Sequence, residues 1–306
     1  MKVFGICCGR KNGNTEIMMK EAFRVIETEC GAQCNFVRLQ EAYIKPCSGC
    51  ETCIMHHWVN HDPDFRCVQP ADADHFYEIE QYIREADAVI VSSPCYNLLP
   101  AGILITWLNK LHSSGDFRDV VHANPKIGAT FVVGGSDYTN FCLDITNMIT
   151  MELAGSYGAI VDKCGFNFVP AVGAVVLEDE ILNRMRTLGK NVADALLAKK
   201  KKETIKYRGE AGVCPICHGN YLQKIRGKWY CPQCYMKAQL HMENQELIVE
   251  YTEEAQKASR WTPDGKEDHD TKLALNQKKA QENAEKIKEK RKEYADYKDA
   301  VKLRKI

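Results

Sequence analysis

Lys2-Val3-Phe4-Gly5-Ile6-Cys7-Cys8-Gly9-Arg10-Lys11-Asn12-Gly13-Asn14-Thr15 is the stretch that decides the fold. An apolar run of strand length, Lys2–Cys8, breaks at a turn rich in Gly and Asn. Ile17, Met18, Ala22, Val25 and Ile26 then recur at helical spacing over Thr15–Glu29. A strand entering a helix through such a turn lets backbone N–H groups converge on an anion at the helix N-terminus. Asn14 and Thr15 add side-chain donors, and Arg10 a cation. Alone, the stretch also reads as an ordinary strand–helix turn capped by Asn14 or Thr15.

Outward from this unit the alternation continues. Cys34–Leu39, Ala88–Ser92, Ile127–Val133 and Ala159–Val169 read as strands. Phe76–Glu85, Ala101–Leu111, Phe141–Ala154 and Glu178–Ala198 read as helices. Strands joined by helical crossovers make a parallel sheet covered on both faces. Five such units predict an α/β domain over residues 1–198, a flavodoxin-like five-stranded doubly wound parallel sheet. The carboxyl ends of its first, third and fourth strands lie around the topological switch point. The third strand ends in Ser93-Pro94-Cys95-Tyr96-Asn97 and the fourth in Val133-Gly134-Gly135-Ser136. Three unusual loops therefore fall where a ligand should sit.

These motifs resemble the NADPH-dependent FMN reductase and iron–sulfur flavoprotein superfamily. The resemblance rests on Arg10-Lys11-Asn12-Gly13-Asn14-Thr15, on Pro94-Cys95-Tyr96-Asn97 with Gly102 and Leu104, and on Gly134-Gly135, and covers about the first two-thirds of the chain. It implies an FMN whose phosphate is held by Arg10, Asn12, Asn14 and Thr15, with Cys8 beside them. It implies that Pro94, Cys95, Tyr96 and Asn97 line the isoalloxazine and ribityl chain, and that Gly134, Gly135 and Ser136 close the other edge. It also implies a homodimer or homotetramer with the flavin near a subunit interface. The chain departs from the family at Cys8-Gly9, where Ser-Pro is common. Cys95 reads either as a thiol beside the flavin or as a small apolar filler.

Cys47, Cys50 and Cys53 stand at x2 spacing in an insertion over 47–67, and Cys67 follows a longer gap. Three thiols so spaced turn toward one point, as around an iron–sulfur cluster. Pro46-Cys47-Ser48-Gly49-Cys50-Glu51-Thr52-Cys53 is similar to the motif that binds [4Fe–4S] in iron–sulfur flavoproteins. The gap holds His56, His57, Trp58 and His61. Thiols packed beneath the flavin, or zinc bound with one of these histidines, are the other readings. The histidines themselves suit an exposed loop face.

The basic run Lys199–Lys202 opens a linker over 199–209. Beyond it, Cys214-Pro-Ile-Cys217 and Cys231-Pro-Gln-Cys234 form two knuckles whose four thiolates suit a tetrahedral ion. The expectation is a zinc ribbon over 210–252, with Glu246–Tyr251 as a strand. A rubredoxin-like iron is the rival. Arg260–Asp270 reads as polar and turn-rich. Leu273–Lys305 reads as a charged helical tail, in which Leu273, Ala280, Ile287, Tyr294 and Val301 recur every seventh residue. Polar residues at the intervening positions argue against a coiled coil and for a partly disordered or docked helix.

Lys+Arg and Asp+Glu both total 41, which gives no global field for nucleic acid or membrane. No segment approaches the roughly 20 apolar residues of a membrane span, and the N-terminus carries no basic leader pattern. With 15 cysteines of this clustering, the expectation is a cytoplasmic, reducing setting. The functional expectation is an FMN-dependent oxidoreductase. It would take electrons from NAD(P)H or a reduced partner protein, and pass them on through a [4Fe–4S] cluster or directly. The alternatives are a non-enzymatic electron carrier and a redox-sensing binding protein that uses its ribbon. No side chain presents itself as a catalytic acid or base.

Overall fold

The computed structural model describes residues 1–62, 64–114, 125–135, 147, 158–167, 169, 171–295 and 300–301. Five parallel strands form its centre: β1 (Lys2–Cys7), β2 (Gln33–Arg38), β3 (Ala88–Tyr96), β5 (Lys126–Val133) and β6 (Gly158–Phe166), in the order β2-β1-β3-β5-β6. The order reverses between β1 and β3, which sets the switch point at the carboxyl ends of those strands. Strands β1, β3 and β5 are near-continuous apolar runs because both of their faces are covered.

On one face lie α1 (Asn14–Cys30) and the long α4 (Asp179–Lys200), sealing Met18, Met19, Ala22, Ile26, Leu188 and Val192 against the sheet. Gly189 allows their closest approach, since a Cβ there would stand 2.5 Å from the Ala22 carbonyl. On the other face lie α2 (Phe76–Glu85) and α3 (Gly102–Leu108), with Phe76, Ile79, Ile83, Leu104 and Trp107 buried. The helix expected over Phe141–Ala154 lies outside the described residues.

Strand β3 runs four residues beyond its expected end at Ser92. It folds back through Asn97 and Leu98 onto the short β4 (Leu99–Pro100). Both turn residues are left-handed, φ 48° and 66°, the two-residue hairpin geometry that usually takes Asn-Gly. Helix α3 in turn stops at Leu108, and Leu111–Ser113 form a separate 3-10 turn.

The second unit is a four-stranded antiparallel sheet, β10-β9-β8-β7 (Glu246–Glu250, Lys237–Glu243, Lys228–Tyr230, Gln223–Ile225). The segment read as a linker is exposed over residues 200–204 and anchored at a few points. The helix continues through Lys200, and Tyr207 joins the core beneath α2 and α3. The Arg208 N–H donates to the Val161 carbonyl (2.8 Å) at a bulge in β6. Trp261 packs against both this core and the cysteine knuckles.

One expectation fails here. Arg260–Asp270 is not a run of turns, because a helix of 20 residues, Pro263–Glu282, begins inside it. Thr262 caps it by accepting from the Gly265 N–H (3.2 Å), and Pro263 occupies the first turn. What reads as turn chemistry is a helix start. After a short helix, Glu253–Lys257 (α5), this is α6, and α7 (Ala284–Ala295) follows a break at Asn283. The seven-residue repeat is thus not carried by one continuous helix.

Candidate functional site

The turn after β1 is held tightly. The Gly13 N–H donates to the Arg10 carbonyl (3.0 Å), and Asn12 takes a left-handed φ of 55°. A Cβ on Gly9 would lie 2.0 Å from Thr15 Oγ1, and one on Gly13 2.9 Å from the Arg10 carbonyl. Gly13 sits at the N-cap with no side chain to cap α1, so the first-turn N–H groups face the turn without an intrahelical acceptor. This is a cradle in which protein atoms leave the concave side to a ligand.

A cavity of about 240 Å³ opens at this cradle. Arg10, Asn14 and Thr15 from the first loop line it, with Pro94, Cys95 and Tyr96 from β3 and Gly134 and Gly135 after β5. The three loops meet at the switch point. Three expected residues stand off the wall. Cys8 is fully buried, and burial pushes its thiol well above the ordinary cysteine range. Asn12 turns its N–H to Glu16 Oε2 (3.1 Å). Asn97 forms the exposed hairpin turn. Ser136 lies outside the described residues.

The sequence reading missed a fourth wall, Val169, Ala171 and Val172, from the segment after β6. Asn14 carries it. Its amide donates to the Val169 (3.2 Å) and Ala171 (2.9 Å) carbonyls, and its Oδ1 accepts from the Val175 N–H (3.2 Å). That side chain is committed to the loop, and what it offers a ligand is its backbone. No short motif signals such a contact across some 155 residues. Only the position of β6 beside β5 would have suggested it.

Below the cradle, Glu16 is fully buried. Arg38 (2.6 and 3.2 Å), Lys20 and the Asn12 N–H outweigh the penalty of burial and hold its carboxyl down at about 2. A carboxylate in the first helical turn would oppose an incoming anion. Two cations neutralise it.

The 47–67 insertion forms a second cavity, about 150 Å³, with Cys47, Cys50, Cys53 and Cys67 all in its wall. Gly49 (φ 67°) and Glu51 (φ 58°) curl the loop through left-handed conformations. Backbone N–H groups then point at sulfur: Gly49 to Cys47 (3.4 Å) and Gln69 to Cys67 (3.5 Å). Hydrogen bonds from Thr52 and Ser48 lower the pKa of Cys50, whereas burial pushes Cys53 up to about 11. The Cys67 N–H donates to the Tyr77 hydroxyl (2.8 Å), which donates on to the Ser113 carbonyl (3.3 Å). The histidines are not in this wall. His56 meets Asp62 Oδ2 (3.1 Å) and stacks on Phe65, and His57 meets the Asp62 carbonyl (2.9 Å). Both are half-buried, so only His61 matches the expected exposed face. Helix α6 lies across Met55–Val59, and Gln277 donates to Glu51 Oε2 (3.0 Å).

Cys214, Cys217, Cys231 and Cys234 are all buried, with their sulfurs within 4.8 Å of one another. Among the described residues they form the one such group of metal-ligand atoms. The two knuckles repeat each other: the His218 N–H donates to the Cys214 carbonyl and the Tyr235 N–H to the Cys231 carbonyl, both at 2.9 Å. His218 (φ 56°) and Tyr235 (φ 61°) are both left-handed. Four thiols this close cannot all ionise without a cation, and a tetrahedral ion is what such a set fits.

Comparison with known proteins bears on this architecture. Residues 1–151 match the family model of NADPH-dependent FMN reductase. The chain is 26% identical over 211 residues to an iron–sulfur flavoprotein of Archaeoglobus fulgidus, covering 66% of this chain and 84% of that one. It is 29% identical over 212 residues to an iron–sulfur flavoprotein of Methanocaldococcus jannaschii, covering 66% and 100%. Among solved structures, a flavone reductase superposes with a TM-score of 0.78 at 22% identity, over 99% of this chain and 100% of the other, which speaks for the fold alone. The class is therefore a flavodoxin-like FMN-binding fold joined to a distinct four-cysteine metal-binding cluster. No helix among the described residues is long and apolar enough to cross a membrane.

Proposed function

We propose that this chain is an FMN-dependent oxidoreductase of the iron–sulfur flavoprotein group within the FMN reductase superfamily. It would move electrons from NAD(P)H or a reduced protein to an acceptor. The observation that carries the reading is the meeting of the three loops at one cavity, in a chain that walls a second cavity with four cysteines. The first-turn N–H groups of α1, with Arg10 and Thr15, would take the FMN phosphate. Pro94, Cys95 and Tyr96 would line the ring from one side, and Gly134 and Gly135 from the other. Bound there, FMN would exchange electron pairs or single electrons, while the protein orients it and limits water.

The thiols of Cys47, Cys50, Cys53 and Cys67 would hold a [4Fe–4S] cluster. Two of the sulfurs, those of Cys47 and Cys67, already accept backbone N–H bonds suited to thiolates. The other four cysteines would hold Zn2+ in a closed site, a structural staple for a small sheet with little core of its own. The test is one oxygen-free preparation of the full chain. Flavin, about four irons and four sulfides, one zinc, and reduction on mixing with NADH or NADPH are the expected outcome. A colourless protein that does not take up FMN would refute the reading. A yellow protein reduced only by another protein would make it a carrier.

A further inference from the structure

The wall of the four-cysteine cavity at 47–67 contains two charged side chains, and they differ in kind. Glu51 is exposed, open to solvent and salt. Lys110 is buried, its side chain 3% exposed. Its ammonium pairs with Asp74, 2% exposed, lies 3.4 Å from Gln69 Oε1 and sits over the Phe76 ring at 5.2 Å. Asp74 is fixed in turn by the N–H groups of Lys45 and Phe76, both at 2.9 Å. Burial works against the Asp74 carboxylate, but Lys110 and these donors hold its pKa below the usual carboxylate value. Asp74 is not in the cavity wall, whereas Lys110 is, and Lys110 is tied to the cysteines through Gln69, whose N–H donates to Cys67 Sγ (3.5 Å).

Stability alone is a weak reason for such a pair, because an apolar pair of similar volume often serves as well. Electrostatics supplies a stronger one. A centre ligated by four thiolates is anionic, and each electron added makes it more so. A buried cation beside it favours the reduced state, and poor screening in the interior magnifies the preference. We propose that Lys110 and Asp74 set the reduction potential of the centre held by Cys47, Cys50, Cys53 and Cys67, with Lys110 raising it and Asp74 limiting the rise. This rests on the cluster assignment above.

The test is a redox titration of the full-length, anaerobically reconstituted protein, followed by electron paramagnetic resonance. Wild type, K110M, K110R and D74N are compared, with iron and sulfide counted in each. K110M should lower the midpoint by at least the equivalent of a tenfold change in the reduced-to-oxidised ratio, about 59 mV for one electron. K110R should stay near wild type. D74N should raise the midpoint, since the lysine charge is then uncompensated. Opposite signs from the two halves of one pair are not what general loosening produces. Intact clusters with unchanged midpoints, or with shifts of the same sign, would overturn the proposal. If K110M loses its iron, D74N decides alone, and the absence of an upward shift overturns it. A wild-type protein that binds no iron and sulfide defeats the cluster assignment itself, and this inference with it.

Discussion

Glu16 is the residue on which the cradle's charge balance turns. Its folded pKa, about 2, lies below the ordinary 4.5, so its stabilisation is complete above pH 4.5 and is lost as pH falls from there toward 2. The shift caps the contribution at roughly 3 kcal/mol. E16Q should therefore be destabilised by up to about that amount at pH 7. The gap to wild type should close between pH 4.5 and 2 in urea unfolding curves, and a gap that persists at pH 2 would contradict the assignment. Gly9 is the complementary case. G9A forces a methyl into Thr15 Oγ1, which is buried and cannot swing aside. We expect a loss of about 1–3 kcal/mol, together with weakened flavin retention on gel filtration. Both residues sit in a stretch whose importance was legible in the sequence. Their particular duties were not, because each depends on a neighbour brought in by folding: Arg38 from β2 in one case, Thr15 from the first turn of α1 in the other.

Among the elements, the β3–β4 hairpin carries a visible local cost. Leu98 holds a left-handed φ that its Cβ disfavours, at the position where Gly is usual. L98G should raise stability by about 1 kcal/mol, read as an upward shift in the thermal midpoint. No change, or a loss, would mean that the exposed leucine makes a compensating contact. The hairpin was invisible beforehand because Pro94 reads as the end of a strand. It ends only the ladder in which its missing N–H would be needed, while the chain continues into an antiparallel pair. Helix α6 was missed for the opposite reason. Thr262-Pro263-Asp264-Gly265 contains Pro, Asp and Gly, all turn formers, and also a capping Thr, a first-turn Pro and a first-turn acid. Local composition does not separate the two; twenty residues of helix after it do. By contrast, α2 was read to its end residues, since apolar positions at strict helical spacing leave no competing period.

For the molecule as a whole, the order of strands followed from the alternation of apolar runs with helices, and the place of the cavity followed from that order. The walls contributed from afar did not, nor did the way the second unit attaches. We expect that unit to depend on an ion held by its four cysteines. C231S should lose the ion, and residues 210–262 should then become sensitive to protease while the 1–200 domain persists. Equal resistance of the two regions would argue that the small sheet stands without metal. The attachment is broad. Tyr207 stacks on His218 with ring centroids 3.4 Å apart, and burial, reinforced by Lys163, lowers that imidazole to about 4, so it stays neutral in the stack. Trp261 reaches both hydrophobic clusters. Through Tyr207 and Trp261, these contacts join residues on the two sides of the basic run. Nicking the backbone between 201 and 206 should yield two fragments that co-elute under native conditions and part only in denaturant, because the indole is a rivet through both plates and no bead-and-string flexibility separates them.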